Sequence, residues 1–242
     1  MRVNVIIPNF NKAEFLSRCL DSCINQHYKD YKIIFIDNES TDKSLEIAEE
    51  ILSSSNKDYI IDQAKNIYPQ CWDECLQKAF NYLDGDYYTI VGSDDFIAET
   101  YISSFCSWVK AQKKTIVCAQ SDLVWIRDNQ AIQKTRHQYS DIEDLKSKML
   151  TGCYVNTPSV FYHIDIFKDK TLKREPELYS GAADYEFYFK LLDKNIYIHN
   201  INEFIGYYYG INKKQSTWEM HRKTISYDSI IQNKWRKLWK KY

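Results

Sequence analysis

The sequence is poor in the features that mark fibrous, disordered or membrane-spanning chains. Its 242 residues include only six glycines and four prolines, which argues against a collagen-like or low-complexity chain. No apolar run approaches the roughly 20 residues that a membrane-spanning helix needs. Lysine plus arginine (32) and aspartate plus glutamate (33) nearly balance, so no basic surface for nucleic acid is expected. One globular domain is the simplest prediction for this length.

Signs of a zinc site or of export are also missing. Cys19 and Cys23, like Cys71 and Cys75, are four residues apart inside apolar helical patterns, and companion histidines are absent. We interpret them as buried free thiols in a reducing cytosol. The first apolar segment, 3–7, is too short for the hydrophobic region of a signal peptide, so a cytoplasmic protein is expected.

What the sequence does contain is a repeated alternation of short apolar runs and amphipathic helical patterns. This alternation predicts right-handed βαβ units around a mostly parallel sheet that is covered on both faces. The predicted strands are 3–7, 32–36, 59–61, 87–91, 115–119 and 123–126. The predicted helices cover about 15–24, 45–52, 72–83, 96–109, 142–150 and 225–242, and the polar stretch 128–144 is expected at the surface.

Polar side chains follow three of the predicted strands. Asn9 and Asn11 follow the first strand, Asp37 follows the second, and Asp94 and Asp95 follow the strand 87–91. Open α/β sheets bind ligands at the carboxyl ends of their strands, so these groups are expected to converge. Two adjacent carboxylates repel each other unless a cation or several donors neutralise them, and a divalent metal would do so. The alternative is that the pair caps the next helix.

Two common nucleotide-binding motifs are absent from the sequence. No G-x-G-x-x-G follows the first strand, and no phosphate-binding loop with its lysine occurs. A dinucleotide-binding or P-loop site is therefore excluded, and the expected site uses carboxylates, asparagines and a metal.

Three ordered segments resemble the first half of family-2 glycosyltransferases. They are VNVIIPNFNKAEFL (3–16), IIFIDNESTDKS (33–44) and GDYYTIVGSDD (85–95). The resemblance implies the A-type nucleotide-sugar fold (GT-A): an α/β, Rossmann-like, mostly parallel central sheet flanked by helices, with a C-terminal helical extension on the acceptor side.

The resemblance also implies roles for individual residues. Asp37 would accept a hydrogen bond from the base, typically uracil; Asp94 would lie near the ribose; and Asp95 would hold Mn²⁺ or Mg²⁺ on the diphosphate, with His221 as a further candidate ligand. The nucleotide-sugar pocket would comprise Pro8, Asn9, Phe10, Asn11, Asp37, Lys65, Ser93 and Asp94.

A later segment, SGAADYEFYFKLL (180–192), resembles the helix that begins with an acid followed by aspartate in this family. By that resemblance Asp184 is the general base that takes the proton of the acceptor hydroxyl, and Ala183 replaces the preceding acid. The alternative is that Asp184 is a first-turn acid that interacts with the helix dipole.

The chain departs from the family pattern at several positions. Asp-Asp-Gly is replaced by residues 37–39 (DNE), the usual Arg-Asn or Asn-x-Gly by 72–75 (WDEC), and the first Asp of D-x-D by Gly92. The Arg-x-His ending is replaced by 209–216 (YGINKKQS). These departures leave the identity of the donor open.

The C-terminal helix, 225–242, combines tryptophans with basic residues. Such a helix suits an anionic membrane surface, but it can equally pack on the domain. The basic residues are Lys234, Arg236, Lys237, Lys240 and Lys241.

These observations predict one glycosyltransferase domain, 1–242. Within it, 1–127 would bind the nucleotide sugar, 128–222 would bind the acceptor, and 223–242 would form the basic helix. The expected enzyme is an inverting hexosyl- or N-acetylhexosaminyltransferase that uses a UDP-sugar and a glycan or lipid-linked oligosaccharide. It would act in bacterial surface polysaccharide synthesis, in the cytoplasm or at the inner face of the membrane. The alternatives are a sugar-phosphate nucleotidyltransferase and a non-catalytic carbohydrate-binding or scaffold protein.

Overall fold

The computed structural model describes residues 1–67, 71–213, 215 and 226–240. Strands and helices alternate through the first half, as the apolar pattern predicted. The strands are β1 Val3–Asn9, β2 Tyr31–Asp37, β3 Asp58–Gln63, β4 Tyr87–Ile90, β5 Phe96–Ile97, β6 Cys118–Ser121, β7 Leu123–Arg127, β8 Gln130–Thr135, β9 Val160–His163, β10 Ile198–Ile201 and β11 Tyr207–Gly210. The helices are α1 Ala13–Ile24, α2 Ser44–Ser54, α3 Cys71–Phe80, α4 Tyr101–Ala111, α5 Ile142–Met149, α6 Asp165–Lys168, α7 Pro176–Tyr179, α8 Ala183–Asp193 and α9 Tyr227–Trp239.

Seven of these strands form the central sheet, in the order β10-β6-β9-β4-β1-β2-β3. β1 runs parallel to β2 and β4, β2 runs parallel to β3, and β10 runs parallel to β6. β9 is antiparallel to both of its neighbours, β4 and β6. The prediction of a mostly parallel central sheet is therefore confirmed.

Both faces of this sheet are buried, which explains why its inner strands are almost continuously apolar. Successive side chains of a strand point to opposite faces. In β1, Val5 and Ile7 face one core while Ile6 faces the other, and Ile33 and Ile34 of β2 are divided in the same way. Helices α1, α2 and α4 cover the first face, and α3, α5, α8 and α9 cover the second. Each fully buried aliphatic side chain contributes roughly 1.5–3 kcal/mol.

A second sheet has the order β5-β11-β7-β8. It corrects one prediction, because the helix expected from residue 96 begins at Tyr101. Phe96 and Ile97 instead pair with Tyr208 and Tyr207 of β11. The stretch 128–144, predicted at the surface, contains the largely exposed strand β8. The local apolar pattern did not reveal that β5 pairs with β11 or that β8 pairs with β7.

Helix α9 packs its apolar side on the domain. Ile231 and Trp235 are buried, and the Trp235 ring stacks on Phe189 of α8 with ring centroids 5.6 Å apart. Trp239 Nε1 donates to Asp193 Oδ1 at 3.0 Å. The packing alternative for this helix therefore accounts for its tryptophans. None of the helices in the described ranges is long and apolar enough to cross a membrane.

Three of the cysteines that the sequence predicted to be buried lie in the cores. Cys19 and Cys23 are buried free thiols in α1, and Cys75 is buried in α3.

Candidate active site

Asp37 is the last residue of β2 and lies at the carboxyl edge of the central sheet, which is the edge where its parallel strands end. Its carboxylate is fully buried. Oδ1 accepts hydrogen bonds from Asn9 Nδ2 (2.9 Å) and Ser40 Oγ (2.7 Å), and Oδ2 accepts one from Ser40 N (2.9 Å). The structure thus brings together two residues that the sequence predicted as neighbours. A bond from a base to Asp37 would have to use the carboxylate's remaining lone pairs.

The loop after β1 is fixed by the same serine. Asn11 N donates to Ser40 Oγ at 2.9 Å, and Asn11 Oδ1 accepts a hydrogen bond from Thr41 N at 2.8 Å. Asn11 has a positive φ of 51°, which asparagine tolerates better than most residues. Pro8, in β1, is buried, whereas Phe10, in the loop that follows β1, is 44% exposed at the edge of the sheet. Phe10 is therefore open to a planar ligand.

The loop after β2 reaches the end of β3. Asn38 Nδ2 donates to the backbone carbonyl of Lys65 at 2.9 Å, and Glu39 Oε2 accepts from Asn66 N at 3.0 Å. Glu39 has a φ of 57°, so it keeps the left-handed conformation at the position where the family pattern has glycine. Lys65, a predicted pocket residue, is exposed at this same edge.

Asp95 is an anchor for strand β11. It is 3% exposed, and its two oxygens accept hydrogen bonds from Tyr207 Oη (2.7 Å) and Gly210 N (2.8 Å). Burial, together with the charge of Asp94, raises the pKa of Asp95 well above its usual range. A Cβ added at Gly92 would lie 2.7 Å from Asp95 Oδ2. The folded-back Asp95 therefore explains why glycine stands at the first position of the D-x-D pattern.

Asp94, unlike Asp95, is partly exposed at this edge of the sheet. Its side chain is 15% exposed, and Oδ2 accepts hydrogen bonds from Lys12 Nζ (2.7 Å) and Asn212 Nδ2 (2.8 Å). Neither aspartate caps the following helix, because α4 begins only at Tyr101. The capping alternative is therefore wrong. Ser93, also a predicted pocket residue, is buried beside this pair.

The predicted metal site can be tested against these contacts. Both oxygens of Asp95 are buried and accept hydrogen bonds from protein donors, and its partly exposed neighbour Asp94 is paired with the ammonium group of Lys12. A divalent cation needs oxygen ligands that are free to coordinate it. Asp95 in this arrangement does not fit that role, and His221 lies outside the described residues. Within the ranges that the structure describes, no group of three or more His, Cys, Asp or Glu side chains is placed to hold a metal.

Asp184 lies in the first turn of α8. Thr157 Oγ1 donates to Asp184 Oδ2 at 2.9 Å, and Tyr185 N donates to Oδ1 at 2.7 Å. Thr157 begins the 3-10 turn Thr157–Ser159 that leads into β9, the antiparallel neighbour of β4. This turn contacts the ends of β4 and β11, so the hydroxyl of Thr157 holds Asp184 at the same edge as Asp94.

Two further charged residues lie close to Asp184. Burial raises the pKa of Asp73 on α3, and the charge of Asp184 adds to this while Arg174 opposes it. Burial lowers the pKa of Arg174, but the charges of Asp73 and Asp184 outweigh it and raise that pKa above its ordinary value. Asp73 belongs to the segment 72–75, where the chain departs from the family pattern. The candidate base therefore interacts electrostatically with a second carboxylate and a cation.

Sequence reasoning missed several residues of this site. Lys12 and Ser40 lie inside segments that had been singled out, and asking which groups neutralise Asp94 and Asp37 would have found them. Thr157 and Tyr207 carry no local signal in the apolar pattern, and Asn212 lies in the segment 209–216, whose only signal was its departure from the family pattern; all three reach the edge through strand pairing and long-range loops.

Comparison with known proteins gives one family. The profile described as Glycosyl transferase family 2 matches residues 4–214. An uncharacterized glycosyltransferase of Haemophilus influenzae is 31% identical over 150 residues, which is 62% of this chain and 52% of that protein. UDP-Glc:alpha-D-GlcNAc-diphosphoundecaprenol beta-1,3-glucosyltransferase WfaP of Escherichia coli is 22% identical over 242 residues, 96% of this chain and 86% of its own length.

Solved structures show the same architecture. S. aureus TarS 1–349 in complex with UDP-GlcNAc matches with a TM-score of 0.71 at 18% identity, covering 93% of this chain and 62% of that one. The fold is therefore GT-A. Glucosyl-3-phosphoglycerate synthase of Mycobacterium tuberculosis, in complex with Mn²⁺, UDP and its product, matches with a TM-score of 0.56 at 12% identity over 90% of this chain and 74% of that one. The chain spans about half the length of the Haemophilus relative and three fifths of the TarS fragment.

Proposed function

The chain belongs to glycosyl transferase family 2, and on that premise we propose that it is an inverting glycosyltransferase. It transfers a hexosyl or N-acetylhexosaminyl group from a UDP-sugar to a hydroxyl of a glycan or lipid-linked oligosaccharide. The setting is the synthesis of a bacterial surface polysaccharide. Support comes from relatives such as WfaP, whose name specifies UDP-glucose and a diphosphoundecaprenol-linked acceptor, and from the TarS complex with UDP-GlcNAc.

The observation that carries this proposal is the placement of Asp184. Its carboxylate is held by Thr157 at the carboxyl edge of the sheet, where the Asp94 turn also lies. In the proposed reaction the acceptor oxygen bonds to the anomeric carbon of the sugar from the face opposite the diphosphate. The carbon–oxygen bond to the diphosphate breaks, and its electron pair leaves with the nucleoside diphosphate. Asp184 takes the proton of the acceptor hydroxyl as a general base.

The donor pocket in this proposal is the groove between the ends of β1, β2 and β4. Phe10 offers an exposed ring face for the base, and Asn9, Asn11 and Ser93 shape the walls beside Asp37 and Asp94. Lys65 lies at the far edge. A bound Mn²⁺ or Mg²⁺ would compensate the charge of the diphosphate in such enzymes. Because Asp95 does not fit as its ligand, no step of the proposed reaction uses a metal.

We also propose that the donor and acceptor halves, 1–127 and 128–222, belong to one domain. Strand β9 from the second half lies between β4 and β6 of the first, which supports this division of labour within a single sheet. The proposal includes a location in the cytoplasm or at the inner face of the membrane, where the enzyme would meet a lipid-linked acceptor.

A donor panel tests the proposed function. Purified protein is melted with UDP-glucose, UDP-galactose, UDP-GlcNAc, UDP-GalNAc, GDP-mannose and CDP-glycerol, with EDTA or with Mn²⁺. A ligand at 100 times its Kd stabilises the native state by about 2.7 kcal/mol. For a chain of this size that corresponds to a rise in Tm of about 5–10 °C. We expect such a rise with at least one UDP-sugar and not with CDP-glycerol.

The stabilising donor is then incubated with a membrane lipid extract, and sugar transfer is followed with a radiolabelled donor. Transfer into the lipid or glycan fraction supports the enzyme. If the protein binds a donor but neither transfers its sugar nor hydrolyses it with any lipid extract, the non-catalytic alternative would be favoured. Stabilisation by none of the nucleotide sugars would overturn the proposed function.

A further inference from the structure

The cation that faces Asp94 is a lysine of the chain itself. Lys12 Nζ lies 2.7 Å from Asp94 Oδ2, and the two side chains are 12% and 15% exposed. Asn212 Nδ2 donates to the same oxygen at 2.8 Å. A positive charge is thus held at the point where the loop after β1, the turn after β4 and the end of β11 meet.

The backbone around Lys12 is fixed so that this placement does not depend on a flexible loop. Lys12 N donates to Ser44 Oγ at 3.1 Å, and Ala13 N donates to Asp42 Oδ2 at 3.0 Å. The amides of Lys12 and Ala13 are therefore bonded to side chains at the start of α2 and just before it. The side chain of Lys12 carries the positive charge at this point, where its ammonium is paired with Asp94.

A nucleoside diphosphate would bring strong negative charge to an edge that already carries carboxylates. Asp37 and Asp94 lie there, so the phosphates need a nearby cation to bind. Asp95 is buried and bonded to Tyr207 and Gly210, and it does not fit as the ligand of a divalent ion. An ammonium group is a compact phosphate ligand that needs no coordination sphere.

We propose that Lys12 binds the diphosphate of the donor and stabilises the leaving nucleoside diphosphate. This inference rests on the proposed function. When the bond between the sugar and the diphosphate breaks, its electron pair passes to a phosphate oxygen. Lys12 compensates that charge by a hydrogen bond and transfers no proton. Asp94, whose Oδ2 is also bonded by Asn212, holds the ammonium in position, and donor binding does not require a divalent cation.

Binding of nucleoside diphosphates to the purified protein tests this assignment. Kd values for UDP, GDP and dTDP, and for uridine, are measured by calorimetry in EDTA and then with Mn²⁺. The variants are Lys12→Met, which keeps the stem and removes the charge, and Lys12→Arg, which restores a charge. Lys113→Met is the matched control, because Lys113 is an exposed lysine that follows α4.

We expect the wild type to bind its preferred diphosphate in EDTA and Mn²⁺ to change that Kd less than tenfold. Lys12→Met should weaken diphosphate binding about 10–100-fold, the effect of removing one charge-assisted hydrogen bond. Its affinity for uridine, which has no phosphate, should stay unchanged and shows that the pocket is folded. Lys12→Arg should recover part of the loss, and Lys113→Met should equal the wild type.

The possible failures point to different conclusions. Binding by the wild type only with Mn²⁺ would overturn the role of Lys12 and leave the proposed glycosyl transfer intact. Equal diphosphate affinity of Lys12→Met and wild type in EDTA would overturn it as well. Binding of no nucleotide under either condition would overturn both proposals.

Discussion

Asp184 is the residue on which the proposed chemistry depends most directly. Asp184→Asn keeps the size of the side chain and one acceptor oxygen but cannot take a proton. We expect transfer to fall by about 10²–10⁴, the usual contribution of a general base, while the Kd of the donor changes little. Transfer rate and donor Kd are measured on the same preparation.

The matched control for this substitution is Asp128→Asn. Asp128 lies between β7 and β8 with a φ of 49°, a conformation that asparagine also adopts. Its activity should equal that of the wild type. Near-normal transfer by Asp184→Asn would show instead that Asp184 is a helix-terminal acid, a role in which asparagine is also effective.

His199 of β10 predicts a pH dependence of stability. Burial, together with the charge of Lys114, lowers the pKa of His199 to about 4. The unfolded chain, with a histidine pKa of about 6.5, binds the proton more readily than the native state. The stabilising contribution is therefore complete above about pH 6.5 and is lost as the pH falls through about 4.

Urea unfolding at several pH values between 7 and 4 measures this effect. The free energy of unfolding of His199→Asn should fall less over that window than that of the wild type, because asparagine does not titrate. Parallel curves for the two proteins would mean that other groups cause the acid sensitivity.

At the scale of elements, the end of β11 is held against the turn after β4. A Cβ at Gly210 would overlap the backbone carbonyl oxygen of Asp94. Gly210→Ala should lower the free energy of unfolding by about 1–3 kcal/mol, as overpacking does, and should weaken diphosphate binding because the Asp94 turn moves. Gly152→Ala is the control, since its Cβ would meet no atom within 4 Å. Equal effects of the two substitutions would contradict a close contact at Gly210.

Helix α9 is tied to α8, the helix of the candidate base, by a buried ion pair. Glu186 is fully buried, and its oxygens lie 2.6 Å from Lys234 Nζ and 3.1 Å from Lys190 Nζ. Lys234 Nζ also donates to Tyr179 Oη at 3.1 Å. Removing one partner of a buried pair leaves a charge that burial penalises.

Because Lys190 still neutralises Glu186 and Lys234 is 36% exposed, Lys234→Met should destabilise the protein by about 1–2 kcal/mol, a fall in Tm of about 2–8 °C. Combining it with Glu186→Leu should restore much of that loss, because no buried charge remains unpaired. Lys237→Met, an exposed lysine on the same helix, should have almost no effect. A loss in Lys234→Met no larger than in Lys237→Met would show that the pair contributes little.

For the whole molecule, the question is whether the basic C-terminal helix also meets a membrane. Its buried tryptophan, Trp235, is used by the domain, so we expect no role for α9 as an anchor. The double substitution Lys237→Glu and Lys240→Glu reverses two exposed charges without disturbing the packed face. Sedimentation with anionic liposomes at low and high salt should give the same bound fraction for this variant and the wild type. A salt-sensitive drop in the variant would restore the membrane interpretation.

Prediction from the sequence succeeded where the signal was local. The apolar runs located the core strands because a strand buried on both faces must be apolar throughout. Asn9, Asp37 and Asp94 were expected at one edge because parallel strands end together, and the structure places them there. The helix predicted over 96–109 is present as α4, but its predicted start was wrong because Phe96 and Ile97 pair with β11, more than 100 residues away. The periodicity of a short segment carries no information about pairing with a distant strand.

The sequence by itself determined the fold and the family. Apolar runs and helical spacing indicated the fold, and three ordered motifs indicated the family, because each of these patterns lies within a short segment of the chain. It did not determine what each polar residue does. Only the tertiary structure decided that the oxygens of Asp95 accept hydrogen bonds from Tyr207 and Gly210, while Asp94 pairs with Lys12. The physical reason is that a carboxylate's role depends on which donors occupy its oxygens, and here those donors come from strands far apart in the chain.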